Sequence, residues 1–263
     1  MAEVATPVGI IVAVVSISVA FVLEGGSPAV AFSNPAAIII IIGGTVGVGM
    51  ASNRMSDIGP GIKATLKILK PGKKLDAAAA VTELMQYAEV ARRDGLLALE
   101  EKAKAVEDPF MKRGLELVID GTDSDEVYDV LESDIVAMKD RHKVAAKFHM
   151  DCGTYSPAIG IVGCVLGLTL ALGHMDNPAE MGHAIASAFI ATLWGIGIAN
   201  VFFMPIANAM KRSSAGEVAY RQMIIEGILA IQAGVSPRAV GEKLKSHLAP
   251  STRENVGEQK AAA

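Results

Sequence analysis

The chain has 263 residues, of which 51% are hydrophobic, and its formal net charge is −4 at pH 7. This small charge creates no strong positive field, so no nucleic-acid partner is expected. A mean hydropathy of +0.40, concentrated in four apolar runs, indicates an integral membrane protein.

The four apolar runs are predicted to span the membrane as helices. They are residues 7–23, 35–52, 153–173 and 182–210, and a crossing needs roughly 17–25 residues. Ala29-Val30-Ala31 after the first run resembles a signal-peptide cleavage site, but no Lys or Arg precedes Arg54. Because a signal peptide begins with a positive region, we expect the first run to be a retained span.

The basic residues predict the topology. All 24 Lys and Arg residues lie in residues 54–147 and 211–260, and the turns at residues 24–34 and 174–181 have none. The positive-inside rule therefore places both turns outside and both termini, with the middle segment, in the cytoplasm.

The predicted fold class is all-α, a polytopic membrane protein with four transmembrane helices and a helical cytoplasmic domain. Transmembrane helices 1 and 2 are expected in residues 1–53, the cytoplasmic helical domain in 54–150, and transmembrane helices 3 and 4 in 151–210. Cytoplasmic C-terminal helices and a flexible tail are expected in residues 211–263.

Local signals predict several shorter helices in the charged segments. A break is expected at residues 70–72, a helix over 75–90, and another from Pro109 to near Gly121. Asp123 or Ser124 is expected to cap a long helix that ends at about His149. After the fourth span, a separate helix is expected over residues 217–233.

The third and fourth runs carry small residues at helical spacing. In the third run these residues stand at positions 153, 157, 160, 164, 167 and 171, and in the fourth run at 184, 188, 192, 195 and 199. In lipid, helices associate by close van der Waals packing, which small residues permit. The two runs are therefore predicted to form a tight transmembrane pair.

No catalytic constellation of nucleophile, base and orienting group is evident, so an enzyme is not expected. Ionisable residues lie only at the ends of the runs, at Glu24, Asp151, Asp176 and Glu180. Ion pathways usually need such a group within the membrane. Either the chain is a packing scaffold, or a partner supplies the carboxylate. Two interpretations of Thr192 stay open: a hydroxyl bonded to its own helix, or one that lines a pore.

Several motifs, in order along nearly the whole chain, resemble the MotA/PomA flagellar motor stator A subunit family, within the MotA/TolQ/ExbB proton channel superfamily. They are GGT at residues 43–45, ARRDGLLALE at 91–100, YSPAIGIVG at 155–163, ATLWG at 191–195, MPIAN at 204–208, and EGI with IQAG at 226–228 and 231–234. The C-terminal motifs resemble stator A subunits more than ExbB and TolQ.

The resemblance implies a motility protein of the bacterial inner membrane that couples ion flow to torque. It implies five copies around two MotB/PomB-type B subunits, which carry the membrane aspartate, and contact with the rotor protein FliG. It implies no cofactor. The alternatives are an ExbB/TolQ-like energiser of outer-membrane transport and a non-conducting membrane scaffold.

The family's functional residues carry over by position. Thr192, Cys164 and Ala191 match its ion pathway, and Pro157 and Pro205 match its helix bends. The residues that match its rotor interface are Arg92, Arg93, Glu100 and Glu101. Sodium-driven relatives tend to have threonine at the position of Cys164 and proton-driven ones alanine, so we expect protons, with sodium as the alternative.

Overall fold

The structure, a computed structural model, describes residues 5–32, 34–69 and 75–253. The α-helices are α1 (Ala5–Leu23), α2 (Pro35–Ala51), α3 (Met55–Leu69), α4 (Ala77–Asp94), α5 (Glu100–Lys104), α6 (Pro109–Ile119), α7 (Ser124–Leu172), α8 (Pro178–Ile198), α9 (Met204–Gln232), α10 (Pro237–Lys245) and α11 (Pro250–Arg253). Two 3₁₀ turns (Pro28–Phe32 and Leu96–Leu99) and a π-helical turn (Ala199–Phe203) complete them. Every regular element in the described residues is helical, which confirms the predicted all-α fold.

Among the residues that the structure describes, three helical segments are long and apolar enough to cross a membrane. They are α1, α7 and the continuous run from Pro178 to Gln232, which joins α8, the π turn and α9. The remaining predicted span, α2, is a shorter apolar helix of 17 residues. The polytopic membrane class is therefore supported, and the count of four spans stays a prediction.

Two predicted helix ends are wrong. The sequence predicts a helix end near His149, but α7 continues through it for 49 residues in all, about 74 Å at about 1.5 Å per residue. Similarly, α9 runs through residues 211–216, where a separate helix was expected to begin at 217. The charged residues there indicate a membrane boundary, but a charge does not break backbone hydrogen bonds as proline does.

The predicted starts of α2 and α6 are confirmed, and each has a side-chain cap. Asn34 accepts a hydrogen bond from the backbone N–H of Ala37 at the start of α2. Asp108 accepts one from Phe110 N–H at the start of α6. The predicted break at residues 70–72 and most of the predicted flexible tail, residues 254–263, lie outside the described residues.

The chain divides into two compact units. The first comprises Met1–Lys73 and Arg141–Arg212, and the second comprises Lys74–Asp140 and Ser213–Ala263. The second unit has an extensive apolar core, whose fully buried members include Leu84, Leu99, Met111 and Ile228. This core holds α4, α6 and the N-terminal part of α7 against the C-terminal part of α9.

Two tyrosines of the second unit pair with carboxylates. Tyr220 Oη donates to Asp108 Oδ2 at 3.0 Å, and Tyr87 Oη donates to Glu83 Oε1 at 3.2 Å. Burial and the adjacent carboxylate raise the pKa of each phenol well above its usual range. Both tyrosines are therefore neutral hydrogen-bond donors throughout the physiological pH range.

Candidate functional site

Two of the predicted ion-pathway residues, Ala191 and Thr192, lie at a close contact between α7 and α8, where a Cβ added to Gly160 would lie 3.3 Å from Ala191 O and 3.5 Å from Thr192 Cα. A Cβ added to Gly195 would lie 2.8 Å from the Cα of Gly160 and 2.9 Å from the carbonyl oxygen of Ser156. The buried hydroxyl of Ser156 donates a hydrogen bond to the carbonyl oxygen of Gly195 at 3.0 Å. The two backbones therefore touch, as the small-residue pattern predicted.

The contact between α7 and α8 continues toward the turn that joins these two helices, with the same geometry. A Cβ on Gly163 would meet the Cβ of Ala191 at 2.9 Å, and one on Gly167 would meet the Cβ of Ala188 at the same distance. Ala191 is only 2% exposed. The residue opposite Ala191 is therefore Gly163, which the sequence analysis did not select, whereas its neighbour Cys164 is half-buried.

Thr192 combines a local hydrogen bond with partial exposure. Its hydroxyl donates to the carbonyl oxygen of Ala188, one helical turn earlier, at 3.3 Å, and the side chain is half-buried. A donating hydroxyl keeps its lone pairs as acceptors. The first interpretation of Thr192 is thus observed, and its oxygen still has the capacity to accept a hydrogen bond.

Pro157 and Pro205 occupy different helical contexts. Pro157 lies inside α7, which continues past it, whereas Pro205 is the second residue of α9, directly after the π turn. Proline lacks an N–H group, and its ring crowds the carbonyl four residues earlier. A wider π turn accommodates this crowding, and such turns recur at functional sites.

Helix α2 completes the packing of the first unit through glycine and threonine. A Cβ on Gly44 would lie 2.9 Å from Ile159 Cγ2, and one on Gly49 would lie 2.6 Å from Cys152 Sγ, both on α7. Thr45, between them, is fully buried, and its hydroxyl has no hydrogen-bond partner among the described residues. The glycine end of α2 therefore serves close helix contact.

Trp194 fixes the turn between α1 and α2. Its indole N–H donates to the carbonyl oxygen of Ala31 at 2.7 Å, and its ring packs edge-on against Phe32. Nearby, the Asn34 amide donates to the Ser187 hydroxyl. These contacts leave no local pattern in the sequence, because the bonded groups are more than 150 residues apart. The sign of them in the sequence is a single tryptophan among small residues.

The predicted rotor residues lie around a sharp corner in the second unit. Gly95, with φ of +88°, ends α4, and the 3₁₀ turn and α5 follow. Arg93 forms a two-point contact with Asp94, with the Nη2–Oδ2 pair at 2.7 Å, and this contact lowers the pKa of the Asp94 carboxyl. Glu100 pairs with Lys104 at 3.0 Å.

The other two predicted rotor residues are more available for a partner. Arg92 and Glu101 are exposed. No ion pair within 4.0 Å joins either of them to another residue in the part of the chain that the structure describes. The structure therefore places all four predicted charges at one exposed corner and distinguishes two paired charges from two unpaired ones.

Comparison with known proteins assigns the chain, including the α7–α8 contact and the charged corner, to one family. Residues 102–223 match the model of the MotA/TolQ/ExbB proton channel family, and residues 7–95 match the motility protein A N-terminal model. "Motility protein A" of Bacillus subtilis is 40% identical over 252 residues, 96% of this chain and 93% of the relative. "Chemotaxis protein PomA" of Vibrio alginolyticus is 34% identical over 248 residues, 94% and 95% of the two chains.

Solved structures give the same result. A chain of the flagellar MotAB stator complex from Bacillus subtilis matches with a TM-score of 0.88 and 39% identity, over 95% of this chain and 98% of that one. A chain of C. jejuni MotAB matches with a TM-score of 0.89 and 31% identity, over 94% and 96%.

The fold and the site together define an all-α membrane protein whose apolar helices pack through small residues. With the relatives above, the class is a stator and proton-channel subunit, not an enzyme. The chain belongs to the MotA/PomA stator A subunit family, within the MotA/TolQ/ExbB proton channel family.

Proposed function

We propose that this chain couples an inward ion flow to torque in the flagellar motor, as the A subunit of a stator complex. The observation that carries the proposal is its match, over 95% of its length, to a chain of a flagellar MotAB stator complex. The N-terminal motility protein A match over residues 7–95 favours this function over an ExbB/TolQ-like energiser of outer-membrane transport.

A B-subunit partner supplies the membrane carboxylate in this proposal. The predicted spans of this chain have acidic residues only at their ends, so a carboxylate in the ion path has to come from another chain. The two relatives of known structure are chains of MotAB structures, which supports a MotB-type partner. Five copies of this chain around two B subunits, in the inner membrane with cytoplasmic termini, complete the proposed assembly.

The ion path passes Thr192 and Ala191 on α8, at the tight contact with α7, and the half-buried Cys164 on α7. Thr192 offers an acceptor oxygen, whereas the Ala191 side chain offers none. Because sodium needs several oxygens to replace its hydration shell, the scarcity of oxygens favours protons as the transported ion. Pro157 and Pro205 act as the points where the helices bend as the ion passes.

The charged corner transmits force to the rotor protein FliG. Arg92, Arg93, Glu100 and Glu101 form the contact, with Arg92 and Glu101 the most available since they have no ion-pair partner in the described chain. One charge crossing 100 mV releases about 2.3 kcal/mol, whereas exposed ion pairs are typically worth about 0–1 kcal/mol each. Such contacts can therefore break at every step of rotation.

The first experiment expresses this chain with its B partner in a strain that lacks its own stator genes. Swimming that does not depend on sodium at fixed pH and membrane potential, and that stops with a protonophore, supports a proton-driven stator. Swimming speed that rises with sodium overturns the choice of ion. A correctly inserted complex that gives no motility overturns the flagellar function.

Matched variants then test the sites. Thr192→Ala is expected to reduce ion conductance and speed, whereas Thr169→Ala, which removes a hydroxyl with the same type of bond to its own helix at 2.8 Å, is expected to leave both unchanged. Arg92→Glu is expected to reduce torque at unchanged conductance, with Lys139→Glu, another exposed cation, as its control. Equal effects within either pair would contradict the assigned role.

A further inference from the structure

Leu97 is the most exposed of the large apolar residues in the described part of the second unit. It is 75% exposed, and the other exposed large apolar residues in the described part of the second unit, Leu75, Tyr128 and Val136, range from 46% to 52%. A single exposed apolar residue is ordinary on a protein surface. Leu97 is notable because it lies within the charged corner at residues 92–101.

The neighbours of Leu97 hold it outward. In the same 3₁₀ turn, Leu99 is fully buried and Leu96 packs against the apolar core. Gly95, with φ of +88°, makes the backbone turn that starts this segment. Two leucines therefore anchor the turn, and the third projects from a fixed backbone, so a partner that binds it has to order only the leucine side chain.

Charges of both signs flank Leu97 along the chain. Arg92 precedes it in the last turn of α4, and Glu101 follows it in the first turn of α5. Neither has an ion-pair partner within the described residues, whereas Arg93 and Glu100 are satisfied by Asp94 and Lys104. Along the chain, the corner thus carries an exposed apolar side chain flanked by an exposed cation and an exposed anion, neither with an ion pair within 4.0 Å in the described residues.

We propose that Leu97 is the apolar anchor of the contact with the rotor protein. The occupant is a protein surface with an apolar recess for Leu97, an acidic group facing Arg92 and a basic group facing Glu101. Interface energy concentrates in a few desolvated side chains surrounded by polar contacts, while rim charges chiefly guide encounter. This inference rests on the proposed stator function. In it, the lifetime of the contact with the rotor protein depends on Leu97 more than on the charges.

The test uses the full chain with its B partner in the stator-deleted strain. Leu97→Ser is compared with Leu75→Ser, the same change at a leucine that is 52% exposed, and with the conservative Leu97→Met. Motor torque, the residence time of labelled stators at the motor, ion conductance and the amount of membrane complex are measured for each. Leu97→Ser is expected to shorten residence about tenfold, the factor that corresponds to about 1.4 kcal/mol, and to reduce torque.

The outcomes separate this inference from the function on which it rests. If the wild-type chain gives no motility, the stator function fails and the anchor fails with it. If the wild-type chain restores motility but Leu97→Ser keeps its torque and residence time, only the anchor is overturned. If Leu97→Ser also loses ion conductance or membrane complex, the anchor is overturned, because a structural defect would explain the effect. It is likewise overturned if Leu75→Ser loses as much torque and residence time as Leu97→Ser. Retention of torque by Leu97→Met supports it.

Discussion

Replacing Gly195 by alanine tests the close α7–α8 contact most directly. The new Cβ would lie 2.8 Å from Gly160 Cα and 2.9 Å from Ser156 O. Both are backbone atoms, so neither can rotate away, and the helices must separate by most of an ångström to reach ordinary contact distance. Overpacking of this kind costs about 1–3 kcal/mol. The separation also weakens the bond from the Ser156 hydroxyl to Gly195 O.

Gly197 provides the matched control for this prediction. It lies two residues further along α8, and a Cβ there meets nothing within 4 Å. Alanine in place of an unconstrained helical glycine favours the helix by about 1 kcal/mol. In thermal unfolding of the purified complex, Gly195→Ala should therefore lower the midpoint by several degrees relative to Gly197→Ala, at about 2–4 °C per kcal/mol for a chain of this size. Equal midpoints, or a more stable Gly195→Ala, would refute the close-contact interpretation.

Three further predictions concern single side chains. Thr45→Val should keep or raise the unfolding midpoint, because it removes a buried hydroxyl that has no partner among the described residues; a large drop would instead mean that the hydroxyl is bonded in the assembled complex. Trp194→Phe keeps a ring but loses the N–H donor to Ala31 O, so amide exchange in the turn at residues 28–32 should accelerate roughly fivefold for a bond worth about 1 kcal/mol; unchanged exchange would contradict the anchoring role. Arg93→Gln should raise the pKa of Asp94, which the guanidinium lowers, as followed by NMR titration. In the unmodified protein this pair is intact above the lowered pKa and is lost as the pH falls through it, and an unchanged pKa in the variant would refute the pairing.

The packing of small residues between α7 and α8 was predictable because it depends only on the spacing of those residues along each helix. Helical spacing alone brought Gly160, Gly167, Ala188 and Gly195 to one interface, and the structure confirms their contact. The same spacing allowed position 164 as well as 163, since steps of three and four both keep a residue near one helix face. Which of the two positions faces α8 depends on the packing of the helices, and in the structure it is Gly163.

The rest depended on information that local sequence does not carry. The bond from Trp194 to Ala31 joins positions 163 residues apart, and no periodicity encodes such a pairing. The continuity of α7 past His149 was missed because charge marks a membrane boundary, while helix ends depend on backbone hydrogen bonding. The ion pair of Glu100 with Lys104 could have been suspected from opposite charges at i,i+4. The pair of Arg93 with Asp94 could not, because adjacent residues do not face each other on a helix.

The π turn at Ala199–Phe203 determines which residues of α9 face the neighbouring helices. Between positions 191 and 203 the buried residues are 191, 195, 199 and 203, so three successive steps of four lead into and through the turn. In a regular α-helix each step of four drifts by about 40°, and three would carry the buried face about 120° around the axis. The wider turn absorbs about one residue and cancels most of this drift. Deleting one residue from this turn should therefore rotate Ile206 and Met210 by about 100°, away from Ala146, with which they form a buried cluster. Chain length in this segment is thus under tighter constraint than the identity of its residues.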